Sequence, residues 1–251
     1  AHRHPEEVPQ VADHERDAHT LRPSRVEPRR LKAKVRNLVQ KIAEAVGHRP
    51  TSYRSGFMDL GPEQVETLVE LGIEADSSLG PLERVRRSYP FVGAPLVPYL
   101  LDPQAPWRPA RQDGRLVEVP MTSLFRRPFP AFFHRCYCRL PGKVRGLLRR
   151  LGVAEIISFR PAGACTDELL AVCRRTERLG APAVMTIHSN ELTPGTSATV
   201  PDEAACRAYY ERLQRVFAHA TERGWRSATL TQLARRLTGR GAAQPREASE
   251  P

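Results

Sequence analysis

Two histidines stand two residues apart at the front of the chain, His2-x-His4, with Pro5 after them. In an extended segment, side chains two apart share a face. Two neutral imidazoles on one face suit a divalent ion such as zinc. The plainer alternative is a histidine pair near a terminus in a chain that has 8 His. Another histidine, His188, ends the apolar run Ala183-Val184-Met185-Thr186-Ile187. A lone histidine beside an apolar strand is often a satisfied core residue. Here Ser189-Asn190-Glu191 and then Pro194-Gly195 follow, which reads as an open loop. A histidine there suits general acid or base work. Arg54 can orient a carboxylate with its planar fork, or be one surface Arg among many. Asp76, in Asp76-Ser77-Ser78, reads first as a cap of the loop backbone through an Asx-turn. His134-x-Cys136-x-Cys138 offers metal-binding side chains but lacks a second pair at zinc-finger spacing.

Arg54, Asp76 and His188 share a placement at or just after the end of a predicted strand: residues 51–54, 73–77 and 183–187. Active sites of parallel α/β folds form at the carboxyl ends of strands. Further strands are expected over 116–121, 156–159 and around Ala228. A helix is expected over 28–46, where Leu31, Val35, Leu38, Val39, Ile42 and Val46 form one stripe. Pro28 suits its first turn and Gly47 the residue past its end. Other helices are expected between Pro62 and Gly72 and over 143–151, 166–179, 202–223 and 231–237. The Pro-rich stretch 81–109 reads as a long excursion, and residues 6–27 as a polar loop. Strands alternating with helices give an α/β fold with a largely parallel sheet, which a closed or distorted barrel would satisfy. One domain over 1–238 and a disordered tail over 239–251 complete the expectation.

The chain has 251 residues, 40% of them hydrophobic, enough for a barrel-sized core. No stretch approaches the ~20 apolar residues of a membrane helix, and no signal peptide is visible. The net charge is +11, nearly all from Arg, with Lys only at Lys32, Lys34, Lys41 and Lys143. Such a balance suits an anionic partner or reflects an Arg-rich composition on a solvated surface. The basic residues scatter over several predicted helices without interleaved aromatics for base stacking, so no nucleic-acid partner is expected. Five irregularly spaced cysteines argue against a disulfide framework and fit a reducing cytoplasm. The first residue is Ala1 rather than Met.

Several segments resemble, in order and spacing, the NodB-homology polysaccharide deacetylases. They are Ala1-His2-Arg3-His4-Pro5, Tyr53-Arg54-Ser55-Gly56, Leu71-Gly72-Ile73, Asp76-Ser77-Ser78, Leu116-Val117-Glu118-Val119-Pro120, and the run from Met185 to Leu192 with Pro194-Gly195. The resemblance implies a distorted (β/α) barrel and a divalent metal, usually zinc, held by one Asp and two His. His2 would be the first histidine ligand and His4 the second, although the commonest family pattern puts the second where Glu6 stands. His188 would be the general acid that protonates the leaving amine, and Arg54 the residue that orients the catalytic aspartate. Ser189, Glu191 and Asp76 become the candidate substrate contacts. Ser55-Gly56-Phe57 stands where many members have Arg-x-Pro-Tyr. The family's paired aspartates should precede His2, and Asp13 and Asp17 follow it. The resemblance therefore implies an N-terminally truncated chain with its first strand and base missing, little activity and weak metal affinity. The implied reaction is removal of N-acetyl groups from an amino sugar of a polysaccharide or glycoconjugate. The alternative is a catalytically inactive relative that binds glycan in the same groove.

Overall fold

The structure, a computed structural model, describes Pro23 and residues 26–82, 91–111 and 114–239. Helix α1 spans Pro28–Val46. The Glu27 carboxylate accepts hydrogen bonds from the backbone N–H groups of Arg29 and Arg30, at 3.0 and 2.9 Å. Gly47, at φ 79°, closes the helix by donating to the Ala43 carbonyl. That left-handed position is one glycine occupies without a Cβ penalty. Val35 and Val39 bury themselves on the core, while Leu38, Ile42 and Val46 of the same stripe stay exposed.

Strand β1 (Ser52–Tyr53) leads to α2 (Pro62–Glu70) and β2 (Ala75–Asp76). Next come β3 (Tyr99–Asp102), β4 (Ala105–Pro109) and β5 (Val117–Glu118). These five strands form one sheet in the order β1-β2-β5-β3-β4. β1, β2 and β5 run parallel, and β3 lies antiparallel to both β5 and β4. Alternation along the strands separates two faces. Tyr53, Tyr99, Leu101 and Leu116 pack with Val35, Val39, Val65 and Leu68 of α1 and α2. Ala75, Val117, Val119 and Leu100 pack with Leu230, Leu233 and Ala234 of α7 (Leu230–Leu237). An Arg235–Glu74 ion pair and a 2.8 Å contact between the Thr51 and Thr231 hydroxyls pin α7 beside β1 and β2.

A second, two-stranded antiparallel sheet joins β6 (Ser123–Phe125) to β7 (Ile156–Ser158). Between them lie α3 (Ala131–Arg139) and α4 (Gly142–Arg150), held by an aromatic cluster around Phe125. Tyr137 meets Phe125 edge-on at 4.9 Å. Helices α5 (Thr166–Arg178) and α6 (Glu203–Glu222) cover the other side, where Leu169, Val172 and Val216 pack on Leu124, Ile157 and Phe159.

The arrangement is a mixed α/β fold with a parallel centre. Among the described residues the two sheets remain separate and no closed barrel forms. The stretch expected as an excursion contains the β3–β4 hairpin, and α3 and β6 were not expected. Residues 183–187 are extended but form no regular ladder. The Thr122 N–H donates to the Val184 carbonyl at 3.2 Å, but the Val184 N–H turns to the Thr122 hydroxyl at 2.9 Å. A side chain thus takes a place that a backbone carbonyl would fill in a strand. No strand forms around Ala228. No described helix is long and apolar enough to cross a membrane. His2, His4, Glu6, Asp13, Asp17 and residues 240–251 lie outside the described residues.

Candidate functional site

The carboxyl ends of β1, β2 and β5 form a polar rim. Arg54 follows β1 and grips the β2 turn: its Nε donates to the Ser77 carbonyl and its Nη2 to the Ser77 hydroxyl, both at 2.8 Å. The Ser55 N–H donates to Ser78 Oγ at 2.8 Å, and Ser78 Oγ donates to Asp76 Oδ1 at 2.8 Å. The Ser78 N–H reaches Asp76 Oδ2 at 2.8 Å. This is the Asx-turn that the residue order suggests. The Ser55 hydroxyl donates to the Asp59 carbonyl at 2.7 Å and accepts from Gln64 at 3.1 Å. Gln64 in turn accepts from the Gly61 N–H at 3.1 Å, so α2 begins tied to the rim. Phe57 and Met58, in the turn just after Ser55, take left-handed φ values of 56° and 53°. Non-glycine residues there hold backbone strain of order ~1 kcal/mol or more each.

Behind the rim, Asp76 and Glu118 are register partners on adjacent parallel strands, and both are fully buried. Glu118 Oε1 accepts from the Leu79 N–H at 2.9 Å. Burial, the neighbouring Asp76 charge and the hydrogen bond between the two carboxyls push Glu118 well above the ordinary carboxylate range. Burial also raises Asp76, against the pull of its bonds to Glu118 and Ser78 and of the Arg54 charge.

A second group lies where residues 183–187 end. His188 is exposed, as are Ser189 and Asn190 in the short 3-10 turn that follows. Glu191, in the same turn, is buried and serves three donors. One oxygen pairs with Arg160, which follows β7. The other accepts from the His188 N–H at 3.2 Å and the Tyr209 hydroxyl at 3.1 Å. Burial works to raise the Glu191 carboxyl, but Arg160, the His188 N–H and Tyr209 together hold it below its ordinary value. Burial and Glu191 push the Tyr209 phenol up to about 12.

Of the expected site residues, the structure joins Arg54 to the Asp76 turn and joins His188 to Glu191. Among the described residues no hydrogen bond or ion pair runs between these two groups. Asp76 and Glu191 were expected to touch substrate, but both carboxylates are enclosed and occupied by protein donors. Their observed part is to hold the exposed Arg54 and His188 loops from behind. Ser189 is open to solvent. Three contributors were not expected: Glu118, Arg160 and Tyr209. An acid inside the apolar run Leu116-Val117-Glu118-Val119 was the available signal for the first. Nothing local distinguishes Arg160 or Tyr209 from other residues of their type.

No known family profile matches the chain, and no curated protein matches it. Among solved structures it is similar to the crystal structure of a protein from Mycobacterium smegmatis assigned by name as a polysaccharide deacetylase. The identity is 19% and the TM-score 0.48, over 90% of this chain and 62% of that one. This chain thus spans less than two thirds of the matched structure's length. At that identity and TM-score the likeness assigns no function.

Among the described residues, no three His, Cys, Asp or Glu side chains cluster as metal donors. His134 and Cys138 meet at 3.9 Å on one face of α3, but Cys136 is exposed on another. All five cysteines are free thiols. The described residues by themselves therefore do not fit a metal centre, and the two histidines expected as ligands lie outside them.

Proposed function

We propose that the chain belongs to a metal-dependent hydrolase that removes N-acetyl groups from an amino sugar of a polysaccharide or glycoconjugate. The reading rests on one observation. The ordered deacetylase-like segments put Arg54 and His188, the two described residues with assigned chemical roles, each in an accessible loop at the carboxyl end of an extended segment. The parallel strands β1, β2 and β5 belong in this reading to a distorted barrel.

His188 is the general acid. Its backbone N–H is held by Glu191 while its ring stays in solvent, free to deliver a proton to the departing amine nitrogen as the C–N bond breaks. Arg54 orients a carboxylate. Two of its guanidinium positions are fixed on Ser77, which limits the freedom of the fork before it meets a partner. Ser189, beside His188, is the exposed hydroxyl best placed to contact the sugar. A divalent ion, with His2 and His4 as its proposed histidine ligands, would supply carbonyl polarisation and an activated water.

The test is acetate release from N-acetylated amino-sugar oligosaccharides, in zinc-supplemented buffer, by the full-length protein, as wild type and as His188→Ala. The expected loss is ~100-fold or more, the scale of general acid catalysis, with zinc affinity by calorimetry unchanged. A full-length wild-type protein that binds the glycan but releases no acetate is the inactive relative instead. Undiminished turnover by the variant removes His188 from the chemistry.

A further inference from the structure

The Asp76–Glu118 pair plays no part in the proposed reaction, yet both carboxyls are fully enclosed behind the rim. The register aligns a row across four strands, Tyr53–Asp76–Glu118–Tyr99. It lies on the face that packs under α1 and α2. Neither acid has any accessible surface. Glu118 Oε2 has no hydrogen-bond donor bound to it, and the Asp76 carboxyl stands within hydrogen-bonding reach of the Glu118 carboxyl. Two ionised carboxylates cannot hydrogen-bond each other, because neither has a proton to give.

We propose that Asp76 and Glu118 share one proton, carried by Glu118, and that this pair is the positioning device for the Arg54 rim. Asp76 already accepts from the Ser78 N–H and hydroxyl, which favours its ionised form. Glu118 accepts from the Leu79 N–H at 2.9 Å, while the nearby Ser78 N–H is directed to Asp76, and Glu118 keeps the proton. The protonated Glu118 donates to Asp76, and Asp76 holds Ser78. Ser78 fixes the backbone of Ser55, next to Arg54, and its neighbour Ser77 receives the Arg54 fork. Glu118 also fixes Leu79, so the turn from Ser77 to Leu79 is held from both ends. Losing the shared proton would leave two enclosed negative charges side by side, and the turn would have to open to hydrate them.

The groups facing the pair do not replace that proton. Tyr53 and Tyr99 flank it along the row, and burial pushes both phenols up, so they stay neutral. Tyr99 spends its hydroxyl on the Pro106 carbonyl at 2.7 Å. Arg54 is the cation whose charge acts on Asp76, and it is committed to Ser77. The sign follows from burial raising Glu118. Its contribution to stability is fully present below the unfolded carboxylate pKa and is lost as pH rises through the folded value.

The experiment compares wild type, Glu118→Gln and Glu118→Ala by three readouts that need no deacetylation, so this inference and the deacetylase reading fail separately. Infrared spectra in D2O near pH ~7 should show a protonated-carboxyl C=O band that Glu118→Gln removes. Stability should fall with rising pH in the wild type more steeply than in Glu118→Gln, whose amide donates to Asp76 at every pH. The Arg54 Nε–H signal should stay protected from exchange in wild type and Glu118→Gln, and exchange on the order of tenfold faster in Glu118→Ala. Absence of the carboxyl band from the wild type overturns the proposal even if the variants do not fold. Identical pH dependence in wild type and Glu118→Gln overturns it as well.

Discussion

At Glu191 one carboxylate serves Arg160, Tyr209 and the His188 backbone, so an enclosed acid organises an exposed loop. Glu191→Gln keeps the shape but turns an N–H towards at least one of those donors. The expected cost is ~1–3 kcal/mol, the scale for leaving buried hydrogen-bonding groups unsatisfied. The pH dependence has a definite sign. The folded Glu191 carboxyl is held below its ordinary value, so its contribution is present above the unfolded pKa and is lost as pH falls through the folded one. Urea unfolding near pH ~7 and again near pH ~3 measures this. The gap between wild type and variant should narrow at the lower pH; a gap of the same size at both would sink the assignment.

The β3–β4 hairpin is the element that sequence reading took for a structureless excursion, and it finishes one edge of the sheet. β4 carries Pro106 and Pro109, which lack the N–H needed to recruit another strand. The chain returns from the hairpin to β5 through Gly114, where the backbones approach closely. A Cβ there would lie 2.8 Å from Leu100 Cβ, 2.9 Å from Ala110 Cβ and 3.3 Å from the Leu101 carbonyl oxygen. Those atoms sit on or next to the backbone and cannot swing away. Gly114→Ala should therefore cost ~1–3 kcal/mol, as overpacking does. A urea midpoint equal to that of wild type would show that the hairpin yields more easily than its packing implies.

Across the whole molecule, separate apolar clusters do the work of one core. One lies under α1 and α2, one under α7, and one between the β6–β7 sheet and helices α5 and α6. The net charge of +11 works against all of them through self-repulsion. Exposed pairs such as Lys32–Glu70 and Arg223–Glu177 offset little of this, since surface ion pairs are worth ~0–1 kcal/mol. Going from about 0.01 M to about 0.15 M salt shortens the screening length from roughly 30 to roughly 8 Å. Thermal stability should rise over that range, because more repulsion than attraction is screened. A melting temperature that falls instead would show that the ion pairs outweigh the excess charge.

Apart from α3, the helices were written locally. Pro28 and Gly47 bracket α1 in the sequence as they do in the fold, and Thr166–Arg178 and Glu203–Glu222 fall within a residue or so of the expected bounds. Caps and 3.6-residue periodicity depend on near neighbours alone. The strand positions of Arg54 and Asp76, and the Asx-turn, were legible for the same reason. Hidden from the sequence was everything set by distant partners. Val184 loses its strand ladder to a threonine hydroxyl 62 residues away. Phe125 gathers α3 onto β6, though α3 lacks a capping side chain to announce it. Glu118 becomes half of a carboxyl pair only because β5 lies beside β2, and Glu191 becomes a buried hub only because β7 and α6 bring Arg160 and Tyr209 to it. Burial removes water as the competing partner, and which charges must then answer one another is decided by strand order and helix packing.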